Sequence, residues 1–285
     1  MVGRHTLVLP LLLGVLIAAH MTVSLQMQAQ RQGVLHQKEG LALLPAPVYR
    51  FVALGYQDLV ADVLFSRTMS FYGGVFKRDE RIDAEIYRTM YQRLDTASQL
   101  DPYFTDPYYF GQSVLAWGAG MPQEANELLD RGRRYRVDDW VMPFFMGFNA
   151  FYFLHDRARA ADLLMEASRR PEAPPLVGLL AARMASESGE TETAVVFLQQ
   201  LARQTEDDAI RKDIRTRIDA LQGIALLEGA VREYQSRFGT LPATPNELVR
   251  RGLLYQLPTD PYGGIFYIAP GGKVWTTSNL RPLKR

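Results

Sequence analysis

Alanine stands at positions 125, 160 and 194, spaced 35 and 34 residues apart, with the same company each time. Five residues before each come Gly120, His155 and Gly189; four residues after each come Leu129, Leu164 and Leu198. A period near 34 with small residues at fixed offsets marks stacked helix–turn–helix units. The physical reason is close packing. An alanine where a second helix crosses the first lets the backbones approach, and a glycine supplies the positive φ of the tight turn. The period divides the chain into units 106–140, 141–174 and 175–208.

The flanks extend this pattern. From residue 48, Phe51, Leu54, Leu59, Val63, Leu64 and Phe71 recur at helical steps, which predicts one amphipathic helix ended by Gly73 and Gly74. A second helix carries Ile82, Ile86, Met90, Leu94 and Ala97 on one face, and Pro102 stops it. After the repeats, Ile210, Ile214, Ile218 and Leu221 form a stripe on one or two further helices, with Gly223 as a possible kink. A repeat stack needs its last apolar face covered, so this segment is the expected cap.

The units resemble tetratricopeptide repeats. "GMPQEANELL", "HDRARAADLL" and "GETETAVVFL" are similar to that family's turn and second helix, and "LDP" at 100–102 is similar to its usual unit ending. His155 replaces the turn glycine, and the family's first-helix Trp-Leu-Gly triplet is missing. The resemblance covers roughly residues 50–220 and implies an α-solenoid whose first helices line a concave face. It places Phe110, Val114 and Trp117 on that face in the first unit, Phe145, Asn149 and Tyr152 in the second, and Leu179 and Arg183 in the third. The wall is mostly apolar, with Asn149 and Arg183 as the polar groups able to orient a ligand. Such a groove either receives a protein or peptide partner or is filled by the chain's own first helices or tail.

The two ends are different in kind. Residues 6–25, "TLVLPLLLGVLIAAHMTVSL", contain no Asp, Glu, Lys or Arg, and at 1.5 Å per residue they just cover a hydrocarbon layer roughly 30 Å thick. Arg4 before them favours a cytoplasmic N-terminus and an exported remainder. An uncleaved single-pass anchor in an inner membrane is the expectation, with a cleaved signal peptide and a periplasmic or secreted chain as the alternative. Residues 26–47, rich in glutamine and ending in Pro45 and Pro47, read as a linker.

At the other end, Gly239, Pro242, Leu248, Gly252, Leu253, Pro258, Asp260, Pro261, Tyr262 and Gly263 follow a long helix, and "GIFYIA" and "KVWTTS" flank Pro-Gly-Gly as a hairpin. Thr244 with Pro245 predicts a capped short helix between them. This order resembles the C-terminal part of the type II secretion major pseudopilin and implies a small α+β module. Asp260 is expected to cap its own turn and Tyr262 to pack the sheet on the helix. That family binds calcium through acidic residues in its final loop; nothing after Asp260 is acidic, so no calcium site is expected. Gly3 is followed five residues later by Val8 rather than Glu, which argues against a filament subunit.

Chemistry is sparse. The chain has no cysteine, which removes disulfides, thiolate metal sites and thiol nucleophiles. A net charge of +1 argues against a general nucleic-acid binder. The four histidines show no ligand spacing, and no zinc-protease, serine-hydrolase, phosphate-loop or dinucleotide motif is present. Asp138-Asp139 and Asp207-Asp208 read as helix-start charges, and the run "RGRRYR" at 131–136 as a solvated helix end, with a lipid-headgroup site as its alternative.

The sequence therefore predicts a mostly α chain: an anchor at 1–25, a linker at 26–47, a tetratricopeptide-like domain at 48–222, and a cap with a pseudopilin-like module at 223–285. The expected function is a non-enzymatic, cofactor-free scaffold in a bacterial envelope, serving a secretion or pilus-type machine. An accessory subunit of a transport or polysaccharide-export complex and a hydrolase are the alternatives.

Overall fold

The computed structural model describes residues 17, 20–24, 44–77 and 84–281. Residues 1–45 and 46–285 form separate units. Within the first, residues 20–24 are helical, and most of the expected anchor and linker lies outside the described residues. Among the described residues no helix is long and apolar enough to cross a membrane.

The second unit is mostly helical. It opens with α1 (Ala46–Val52), α2 (Gln57–Lys77) and α3 (Ala84–Leu100). Three hairpins of similar length follow. The first pairs α4 (Asp106–Gly111), continued as a π-helix over Gln112–Gly118, with α5 (Pro122–Tyr135). The second pairs α6 (Val141–Tyr152) with α7 (Arg157–Ser168), and the third pairs α8 (Pro175–Ser188) with α9 (Thr191–Gln204). The long α10 (Asp208–Phe238), short α11 (Pro245–Arg250) and strands β1 (Phe266–Ile268) and β2 (Val274–Thr276) complete it.

The repeat has a physical counterpart in each hairpin. Ala125, Ala160 and Ala194 each occupy the fourth position of their second helix and are fully buried. Leu129, Leu164 and Leu198 lie one turn further along, also buried. A Cβ added to Gly147 would stand 2.9 Å from the Leu164 Cγ and 3.2 Å from the Ala160 carbonyl oxygen, so α6 and α7 approach more closely than a side chain at 147 allows. Gly120, His155 and Gly189 all take positive φ, at 65°, 55° and 101°. The residue after each, Met121, Asp156 or Glu190, then donates its N–H back to a carbonyl of the first helix at 2.8 Å. His155 thus does a glycine's work in the turn.

Half-buried arginines join neighbouring elements. Arg131 reaches Asp95 (2.7 Å) and Ser98 (2.6 Å) on α3, and Arg133 pairs with Glu166 of α7 at 2.9 Å. Arg136 donates to Asp139 and to the Tyr103 carbonyl. Arg131, Arg133 and Arg136 of the basic run thus link neighbouring elements, while Arg134, 65% exposed and paired with Asp130 of its own helix, is the solvated helix end that the sequence predicts. Asp139 accepts from the Val141 N–H, and Asp207 from those of Ala209 and Ile210, as helix-start carboxylates should.

Two stretches read differently in the structure. The single helix expected from residue 48 is broken by a turn at Leu54 and Gly55, both at positive φ, and α2 then runs through Gly73 and Gly74 to Lys77. The buried face there is Ala53, Ala61 and Leu64, while Phe51, Leu54, Leu59 and Val63 are exposed. Helix α10 runs unbroken through Gly223, and the expected boundary at 222/223 falls inside that helix. A Cβ on Gly223 would lie 3.1 Å from Phe266, so the glycine is the seat for the tail's aromatic ring.

The tail packs on α10 as one core. Leu248, Phe266, Val274 and Leu280 join Ile214, Ile218, Leu221, Ile224 and Leu227 of α10. The strands pair antiparallel with Tyr267 opposite Trp275. Buried Asp260 accepts from the Tyr262 N–H (2.9 Å) and from the hydroxyls of Ser278 (2.6 Å) and Thr276. Arg217 of α10 lies over the Tyr262 ring, donates to its hydroxyl at 3.1 Å, and reaches the Leu280 carbonyl at 2.7 Å. Thr244 makes no side-chain cap; Glu247 instead reaches back to the Ala243 N–H.

Candidate partner-binding face

The expected face lies on the first helices of the three hairpins, and its three parts have different fates. In the first hairpin the π-helix matters. Its wider ring, with the Ala119 N–H bonded to the Val114 carbonyl, changes the direction of the side chains that follow. Val114 is turned into the core, and Trp117 is left 54% exposed.

Trp117 is not alone. Its ring centroid is 5.2 Å from Tyr152, 5.7 Å from Phe148 and 5.1 Å from Phe153. Tyr152 stacks on Phe148 at 5.6 Å and meets Phe153 edge-on at 4.9 Å. The C-terminal ends of two adjacent first helices thus hold four rings against one another, with Tyr152 half exposed. Phe153 also packs on the core of the first two hairpins, which together with ring-to-ring contact orients the cluster, and the exposed parts of Trp117 and Tyr152 are open to a further apolar contact. Phe110 and Phe145 are half-buried neighbours, in edge contact with Phe65 and Tyr109 respectively.

Asn149 does not orient a ligand in this arrangement. It is fully buried; its amide nitrogen donates to Gln112 (2.7 Å) and Asn126 (2.9 Å), and its oxygen accepts from Gln112 (2.9 Å). This amide cluster ties the first hairpin to the second. Leaving one partner unmet there would cost about 1–3 kcal/mol.

The third hairpin's part is occupied by the chain itself. Arg183 donates to Glu187 at 2.7 Å, and Glu187 also accepts from Arg157 at 3.1 Å. The Lys273 ammonium, from the hairpin loop of the tail, bonds the Glu187 carbonyl, and burial pushes its pKa down. Arg183, Ser186 and Glu187 face Lys273, Val274 and Trp275 across a cavity of about 20 Å³, space for little more than a water molecule. Leu179 packs half-buried against the same core. Of the eight expected residues, Trp117 and Tyr152 are brought together at the surface, whereas Phe110 and Phe145 pack half-buried on the core against other rings. Val114 and Asn149 are interior, Leu179 is half-buried on the core, and Arg183 lines the dock of the tail.

Phe148 and Phe153 were missed by sequence reasoning. The four-residue step from Phe148 to Tyr152 was a usable signal, whereas the π-helix that aims Trp117 leaves none. His155 is exposed in its turn with no acid bonded to it. Among the described residues no group of three or more His, Asp or Glu could share a metal ion. Compared with family models, curated proteins and solved structures, the chain matches none.

Proposed function

We propose that this chain is a non-enzymatic scaffold of tetratricopeptide-like hairpins, anchored in a bacterial inner membrane by residues 6–25 with its bulk in the periplasm. Its first two hairpins bind an apolar helix or extended peptide of another envelope protein. The observation that carries this reading is the ring cluster of Trp117, Phe148, Tyr152 and Phe153, whose Trp117 and Tyr152 are open to solvent where two first helices meet. Burying a side chain of this size contributes about 1.5–3 kcal/mol. Two such anchors with a few rim contacts reach roughly micromolar affinity. The order of long helix, short helix, Asp260 turn and hairpin supports assigning the scaffold to a secretion or pilus-type machine.

The test is quantitative co-purification from detergent-solubilised membranes, comparing the native chain with Trp117→Ala/Tyr152→Ala. The double variant should lose its specific partners by about tenfold or more while its circular dichroism stays unchanged. Equal recovery from a folded variant would remove the groove from the proposal.

A further inference from the structure

The turn between α1 and α2 raises a question that the scaffold reading leaves open. Residues 51–56, "FVALGY", are six consecutive uncharged residues. Phe51 is 81% exposed, Leu54 83% and Tyr56 70%, with Val52 and Leu59 also on the outside. Ala53 and Ala61 fill the interior in their stead. Five large apolar residues exposed within nine positions make a patch rather than scatter. Leu54 is also held at a φ of +49°, a conformation that favours glycine, so a strained backbone presents this apolar tip to water.

The chemistry of the turn fits a bilayer surface. Its centre is aliphatic and phenyl, Tyr56 offers a phenol at one edge, and Arg50 stands at the other with its guanidinium bonded to the Gln99 carbonyl at 2.6 Å. An apolar body with aromatic and cationic rims is the composition of segments that lie at the headgroup level. Asp58 and Asp62, both exposed, begin just beyond the turn and limit how deep it can go. Chain length supplies the second argument. Residues 26–45 separate the apolar run 6–25 from α1, and twenty residues span at most about 70 Å. An anchored chain therefore keeps this turn at high local concentration next to lipid, where weak insertion suffices.

We infer that the α1–α2 turn, through Phe51, Val52, Leu54 and Tyr56, inserts into the headgroup boundary of the lipid bilayer and holds α1 and α2 against the membrane. This rests on the reading of residues 6–25 as the anchor. Because the chain has no cysteine, one engineered cysteine carries the only label. Leu54→Cys and Phe51→Cys, with Tyr255→Cys (97% exposed) as the aqueous reference, are labelled with an environment-sensitive fluorophore in the full chain. The chains are reconstituted into phosphatidylethanolamine–phosphatidylglycerol vesicles.

Positions 51 and 54 should shift to the blue and be quenched by doxyl-labelled lipid at least about twofold more than position 255. Equal quenching by aqueous iodide at all three sites, in a chain that floats with the vesicles, overturns the insertion and leaves the anchor standing. Protection from iodide without doxyl quenching means that protein, such as a second copy, covers the turn, and also overturns it. A chain that fails to float removes the anchor and the insertion together.

Discussion

His155 is the residue at which the repeat departs from its own rule. Its equivalents, Gly120 and Gly189, take left-handed backbone without strain, whereas an imidazole-bearing residue at φ 55° does so against its Cβ. His155→Gly should therefore raise stability by about 0.5–1 kcal/mol, the relief of strain being partly offset by a looser unfolded chain. A denaturant-midpoint comparison at neutral pH measures this. A lower midpoint would mean that the side chain holds the turn in a way its exposed position does not show. The requirement at 155 was legible from spacing alone, because two glycines five residues before alanines define what the third position must do. The fate of Asn149 was not. Its spacing puts it on the first-helix face, and only the π-helix in the neighbouring hairpin brings Gln112 to meet it.

At the scale of elements, periodicity identified most helices but could not choose between the two sides of α1 and α2. Both carry apolar or small residues, and packing buries Ala61 with Leu64, of the expected stripe, against Ala97 and Leu100 of α3. Helix α10 shows the converse. Gly223 looks like a breaker in the sequence, yet the intrahelical bonds run past it and the missing side chain leaves room for Phe266. Gly223→Val should lower stability by about 1–3 kcal/mol, since its methyl groups would enter the space the ring fills. Gly229, on the same helix, is the control, because an added Cβ would meet only the Arg232 guanidinium at an ordinary 3.9 Å: Gly229→Ala should stabilise by roughly 1 kcal/mol through helix propensity. Opposite signs at the two glycines separate packing from propensity. A neutral Gly223→Val would mean that Phe266 is not seated there.

For the whole unit from Ala46 to Arg285, the cores are graded along the chain. A cluster of four buried residues holds α2 to α3, a larger one joins the first two hairpins, and the largest runs from the second hairpin through α10 into the tail. The tail is therefore part of the stack's closure rather than an appendage. Leu248, Phe266, Val274 and Leu280 are its buried apolar side chains, each contributing about 1.5–3 kcal/mol. Their sum, roughly 6–12 kcal/mol as an upper bound, rivals the 5–15 kcal/mol by which whole domains are stable. A chain ended after Gly239 would also bare the face of α10 that they cover and free Arg183 and Glu187 from Lys273. Such a chain should melt at least about 10 °C lower than the full one by far-ultraviolet circular dichroism, or lose its single transition as α10 frays first. A truncated chain melting within about 2 °C of the full one would show that the tail only rests on a stack already closed by α10, and the third hairpin's face would then count as available to a partner.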